Sequence, residues 1–117
     1  MNELDLSKLR YSGVDVDGSM ERFSGNSALY EKFLKKFVND DTFLKMVEFM
    51  RVKNFEEAYK GAHSLKGVTG NLGLTDLYNS CDAMCRAFKE GALEKIIECY
   101  GDAKKHYDMA IEIIKGL

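Results

Sequence analysis

Residues 62–73, AHSLKGVTGNLG, hold one of the two histidines of the chain and three of its ten glycines. Apolar residues around them recur at helical rather than alternating spacing, so the stretch reads as the interior of a helix. An exposed glycine in such a position costs about 1 kcal/mol relative to alanine. Gly67 and Gly70 lie one and two turns after His63. Propensity does not account for them.

The helix has recognisable ends. Asn54 with Glu57 three residues later is a variant of the capping box, and it predicts the start. Asn71 and Gly73 are stop signals at the other end. At about 100° per residue, Ala58, Leu65, Val68 and Leu72 gather on the pole opposite His63 and should face a core. Within about 60° of His63 lie Glu56, Tyr59, Lys60, Lys66, Gly67 and Gly70, none of them aliphatic. His63 should therefore face solvent, whereas Gly61 should face the core and permit close helix packing.

That face has a chemical reading. Glycines at positions 67 and 70 remove side chains that would crowd the imidazole, so a bulky partner can approach its ring nitrogen. Lys66, three residues on, lies beside the same ring and brings a mobile point charge suited to phosphate. An exposed imidazole ordinarily has a pKa of about 6.5, so near neutral pH it is mostly unprotonated and nucleophilic. Together these residues describe a histidine that can be phosphorylated.

Outward from this helix the chain keeps the same period. Glycines 13, 18 and 25 surround a short amphipathic piece, Ser19 to Phe23, expected as a small capping helix. Ser27 is the expected cap of a helix with Leu29, Tyr30, Phe33, Leu34 and Phe37 inward. Another is expected from about Thr42 to Val52, with Phe43, Leu44, Val47 and Met50 inward. Thr75 should cap a helix burying Leu77, Cys81, Met84 and Phe88, closed by Gly91. From Leu93 to Lys115 a last stripe runs through Ile96, Ile97, Tyr100, Ala103, Tyr107, Ala110, Ile111 and Ile114. The fold class is all-α: an antiparallel up-down four-helix bundle with additional short N-terminal helices. Residues 1–12 are expected as a flexible lead-in and residues 13–117 as the bundle domain.

Composition excludes several classes. A formal charge of −2 offers no basic face for nucleic acid. No apolar run reaches the roughly 20 residues that cross a bilayer, and MNELDLSKLR is not a secretion signal, so a cytoplasmic protein is expected. Cys81, Cys85 and Cys99 are odd in number and give no disulfide framework. Cys81 and Cys85, with His106, are the residues a metal- or haem-binding bundle would rest on, but a structural zinc site needs four ligands and no second close pair exists. Buried thiols acting as small hydrophobes are the simpler reading, and His106 reads as an ordinary residue flanking the last stripe. No nucleotide-binding glycine-rich loop and no kinase motif set is present.

The stretch also resembles the signature of histidine-containing phosphotransfer (HPt) domains: His63, then Leu65-Lys66-Gly67, then Gly73 ten residues after the histidine, with Asn71 in the ending NLG. The segment from Gly13 to Phe37 is similar to the lead-in of that family. The resemblance implies a four-helix bundle that carries phosphate between receiver domains of response regulators or hybrid sensor kinases. His63 would accept a phosphoryl group from one receiver aspartate and pass it to another, with Lys66 supplying charge and Gly67 and Gly70 partner access. Glu56, Tyr59 and Lys60 would be docking contacts. The receiver would supply the acidic pocket and Mg²⁺, so no metal or cofactor of its own is implied. Nor is any ATP-dependent kinase activity. Two alternatives stand beside this reading: the phospho-accepting domain of a chemotaxis-type kinase, and a helical adaptor that docks partners without phosphate.

Overall fold

Helical spacing along the whole chain resolves into seven helices and no strand. In the computed structural model, which describes residues 1–117, they are α1 (Glu3–Tyr11), α2 (Val16–Arg22), α3 (Ser27–Val38), α4 (Thr42–Arg51), α5 (Phe55–Leu72), α6 (Thr75–Glu90) and α7 (Leu93–Lys115). The connections around α5, α6 and α7 are two to three residues long, which makes successive helices antiparallel neighbours. α5 packs between α4 and α6, and α6 packs on α7. α3 and α4 follow one another to supply the fourth side of the bundle, where α3 reaches α7 and α5. The molecule is elongated, 43 × 22 × 21 Å.

The core fills from the stripes that helical spacing marks. Tyr30, Leu34, Phe43, Met46, Leu65, Leu77, Met84 and Ile114 are almost wholly enclosed. Tyr107 of α7 joins the two short helices: its ring stacks on Phe43 at 4.0 Å and meets Phe37 edge-on at 5.9 Å. Gly61 faces Met46, where a Cβ would come within 3.2 Å, so close packing of α5 on α4 is its role, as expected. No buried side-chain nitrogen or oxygen lacks a hydrogen-bond partner, as a well-packed interior requires.

Several local expectations are corrected. Residues 1–12 are not an unstructured lead-in: Asn2 and Asp5 close a capping box on α1, and Leu9 is fully buried. Asn26, not Ser27, caps α3 through its side-chain oxygen, which accepts from the Leu29 N–H at 3.0 Å. Thr75 is the first residue of α6 rather than its cap, and its hydroxyl donates to the Gly73 carbonyl at 3.3 Å. The inner stripes are narrower than the apolar residues suggest. Leu44 is 62% exposed and Ile97 55%, while Leu29, Phe33 and Val68 lie near 40%. Val47, Met50, Phe88, Tyr100 and Ile111 are half-buried. On the short α3 and α4 only the central ridge is enclosed, and on the longer helices too residues one step around from the ridge, such as Val68 and Ile97, stay at the rim.

The junction after α5 fixes the N-terminal helices. Gly73 is left-handed at φ 71°, and a Cβ there would lie 2.5 Å from the Asp15 carbonyl oxygen and clash with Ser19 Oγ. The backbone of α5 therefore ends in direct contact with α2: the Asp15 N–H donates to the Gly73 carbonyl at 2.9 Å. Arg22 Nε donates to the Asn71 carbonyl at 3.1 Å, and the buried Tyr30 hydroxyl donates to the Leu72 carbonyl at 2.7 Å. The last carbonyls of a helix have no partner within it; here α2 and α3 supply those partners.

Candidate functional site

α5 presents His63 to solvent, as the angular argument requires. Asn54 caps this helix by accepting from the Glu57 N–H at 3.4 Å. The Glu57 carboxylate does not complete the box; it pairs with Lys60 at 3.0 Å instead. One turn before His63, the half-buried Tyr59 ring lies 6.2 Å from the imidazole with 30° between the planes. Phe88 of α6 holds Tyr59 edge-to-face at 5.9 Å. The imidazole thus leans on an aromatic ring that the neighbouring helix fixes.

The two glycines after His63 do different things. A Cβ at Gly67 would meet nothing within 4 Å, so the space beside His63 is open there. Gly70 is not bare: a Cβ would come within 3.2 Å of the Tyr78 ring of α6. Its missing side chain lets Tyr78 lie against the α5 backbone. The spacing put both glycines on the histidine's side of the helix, but a wheel does not show the neighbouring helix reaching over one of them.

Lys66 is engaged. Its ammonium lies 3.0 Å from Asp82 Oδ1 on α6, and Asp82 Oδ2 lies 3.5 Å from Arg86. The hydrogen bond with Asp82 raises the Lys66 pKa above its ordinary value and lowers that of Asp82, so both are charged near neutral pH. Asp82 and Tyr78 escaped sequence reading because their place depends on the register between two helices. Glu56 and Lys60 are exposed on the turns before His63. Between α3 and α5, exposed Phe33 and Val68 line an open groove with Phe23, Lys36 and Asn71.

The remaining sulfur and imidazole groups lie elsewhere. Cys81 and Cys85 are buried and Cys99 is half-buried. Burial pushes the Cys81 thiol up to about 12 and raises Cys85 as well, which makes both poor nucleophiles. No group of three or more His, Cys, Asp and Glu side chains is placed to hold a metal ion. His106 is half-buried, with its Nδ1 2.7 Å from Ser80 Oγ. No helix is long and apolar enough to cross a membrane.

The family model described as Hpt domain matches residues 33–112, the span that includes this face. The chain belongs to the Hpt domain family. The match takes in α4, α5 and α6, the second half of α3 and nearly all of α7. Among curated relatives, the phosphorelay intermediate protein YPD1 of Candida albicans is 33% identical over 92 residues, 70% of this Hpt chain and 48% of the relative. The chain therefore spans about half the length of that curated relative. No solved structure matches it.

Proposed function

We propose that this protein is a phosphorelay carrier in two-component signalling, in which His63 takes a phosphoryl group from the aspartyl phosphate of one receiver domain and gives it to the aspartate of another. The observation that carries the reading is the open approach to His63: an exposed imidazole on a rigid helix, with empty space where a side chain at position 67 would stand. A receiver is a folded domain, and its phosphate cannot reach a nitrogen screened by bulky neighbours. The Hpt match and the likeness to a phosphorelay intermediate support the same conclusion.

In the forward step the free ring nitrogen attacks phosphorus. The N–P bond forms as the acyl P–O bond breaks, and the electron pair leaves on the receiver's carboxylate. The return step reverses these roles. Such transfers depend mainly on alignment and charge neutralisation. Tyr59 and Phe88 limit the tilt of the imidazole, and Lys66 lies near enough along α5 to meet phosphoryl oxygens. The acidic pocket and Mg²⁺ belong to the receiver in this reading, and phosphate comes from partners rather than from ATP, so the chain is a phosphocarrier and not a kinase. Glu56, Tyr59 and Lys60, on the turns before His63, form the docking surface. The reading places the protein in the cytoplasm.

The test is transfer from a labelled phospho-receiver to wild-type protein and to His63→Gln. Acid-labile, base-stable label on the wild type alone is the expected result. Equal label on the variant overturns the assignment of His63. Label taken from a kinase domain but from no receiver would favour a chemotaxis-type domain, and docking without any label an adaptor.

A further inference from the structure

The charge assigned to the phosphoryl group is already in use. Lys66 reaches across from α5 to Asp82 on α6 at 3.0 Å, and both side chains are partly covered. Asp82 is also approached by Arg86 at 3.5 Å. A lysine has a single ammonium on a flexible stem, so what it gives to one anion it withdraws from another. We propose that Asp82 is a positioning residue that holds Lys66 back from the phosphoryl group on His63 and thereby keeps the phosphohistidine labile enough to be passed on. This inference rests on the phosphocarrier reading of His63.

Two effects act in the same direction. A phosphoryl dianion on His63 must share Lys66 with Asp82, and the Asp82 carboxylate is itself a like charge on the adjacent helix. Each raises the free energy of the phosphorylated state relative to the free state. Arg86 makes the exchange reversible, because Asp82 keeps a counter-ion when Lys66 swings toward phosphate. A cation on the phosphoryl oxygens stabilises the ground state more than a loose, metaphosphate-like transition state, from which charge is drawn toward the leaving nitrogen. Freeing Lys66 should therefore slow the loss of the group. A carrier gains from the opposite setting, since a phosphoryl group held too firmly would not move on.

The simpler view makes the ion pair a fastening between α5 and α6, and the two views separate by experiment. Full-length protein is phosphorylated with phosphoramidate, a donor small enough to need no docking surface, and the lifetime of the phosphohistidine is followed at neutral pH. In hydrolysis water attacks phosphorus, the N–P bond breaks, its electron pair returns to the ring nitrogen, and inorganic phosphate leaves. Asp82→Asn should lengthen the lifetime about two- to fivefold, the scale expected when one partly exposed ion pair is released. Asp82→Glu should bring it back near the wild-type value, and in a Lys66→Met background Asp82→Asn should have a much smaller effect. An unchanged or shortened lifetime in Asp82→Asn, or the same lengthening without Lys66, overturns the proposal. Those results differ from failure of the carrier reading, in which wild-type protein takes no more label than His63→Gln and the proposal falls with it. A fastening alone would shift the thermal midpoint and leave the lifetime where it was.

Discussion

The Tyr30 hydroxyl donates to the Leu72 carbonyl at 2.7 Å inside the core, joining α3 to the last turn of the helix that carries His63. Leu72 is among the residues whose carbonyls α5 cannot satisfy itself. Tyr30→Phe keeps the ring and removes the donor, leaving a buried acceptor unpaired. The expected loss is about 1–3 kcal/mol in urea unfolding. An unchanged midpoint would mean that water or a backbone shift replaces the bond.

Gly67 and Gly70 should respond oppositely to the same substitution. Gly67→Leu places its side chain in open space, so the fold should be retained. Transfer from a receiver should be lost while labelling by phosphoramidate persists. Gly67→Ala should stabilise the helix by roughly 0.5–1 kcal/mol. Gly70→Leu pushes into the Tyr78 ring and should cost about 1–3 kcal/mol as overpacking. A Tyr78→Ala background should relieve that cost. Circular dichroism with both labelling assays separates the two sites.

Gly73 and Gly91 make a controlled pair. Both close a helix in the left-handed region, at φ 71° and 66°. Gly91 has nothing within 4 Å of an added Cβ, whereas Gly73 abuts Asp15 and Ser19. Gly91→Ala should therefore cost only the conformational penalty, about 1–2 kcal/mol. Gly73→Ala should cost more and should raise amide hydrogen exchange in α1 and α2. Equal losses at the two sites would show that the contact between α5 and α2 yields easily.

Alkaline stability should depend on Cys81. Burial pushes its thiol up to about 12 in the folded protein, against about 8.5 in an unfolded chain. The folded state thus holds this proton more tightly, and the contribution is fully present below the unfolded value. It is lost as pH rises from about 8.5 through about 12. Urea midpoints at pH 7 and pH 10 should differ more for wild type than for Cys81→Ala. An identical pH slope in the two proteins would show that Cys81 ionises without hindrance when folded.

What the sequence reveals and what it hides divide along a physical line. Helical spacing, the Asn54 cap and the Gly73 stop are properties of one segment, and α5 follows them closely. The exposure of His63 and the freedom around Gly67 are also single-helix properties. Lys66 with Asp82, Gly70 with Tyr78 and Gly73 with Asp15 join separate helices, so their partners depend on packing register that no periodicity records. The narrow stripes of α3 and α4 fail for the same reason. Leu44 and Phe33 are apolar at the right interval, yet short helices leave them at the edge of the core. The N-terminal helix was obscured because its short apolar pattern has meaning only once α1 lies against the bundle.

The placement of Tyr59 beside His63 has a practical optical consequence. The chain has no tryptophan, so its ultraviolet emission comes from tyrosine and phenylalanine alone. Tyr59 is stacked near the imidazole on the same helix face, where a change in the charge carried by that ring alters the surroundings of an emitting phenol. The protein thus carries its own reporter at the point where phosphate would arrive, and Tyr59→Phe supplies the blank.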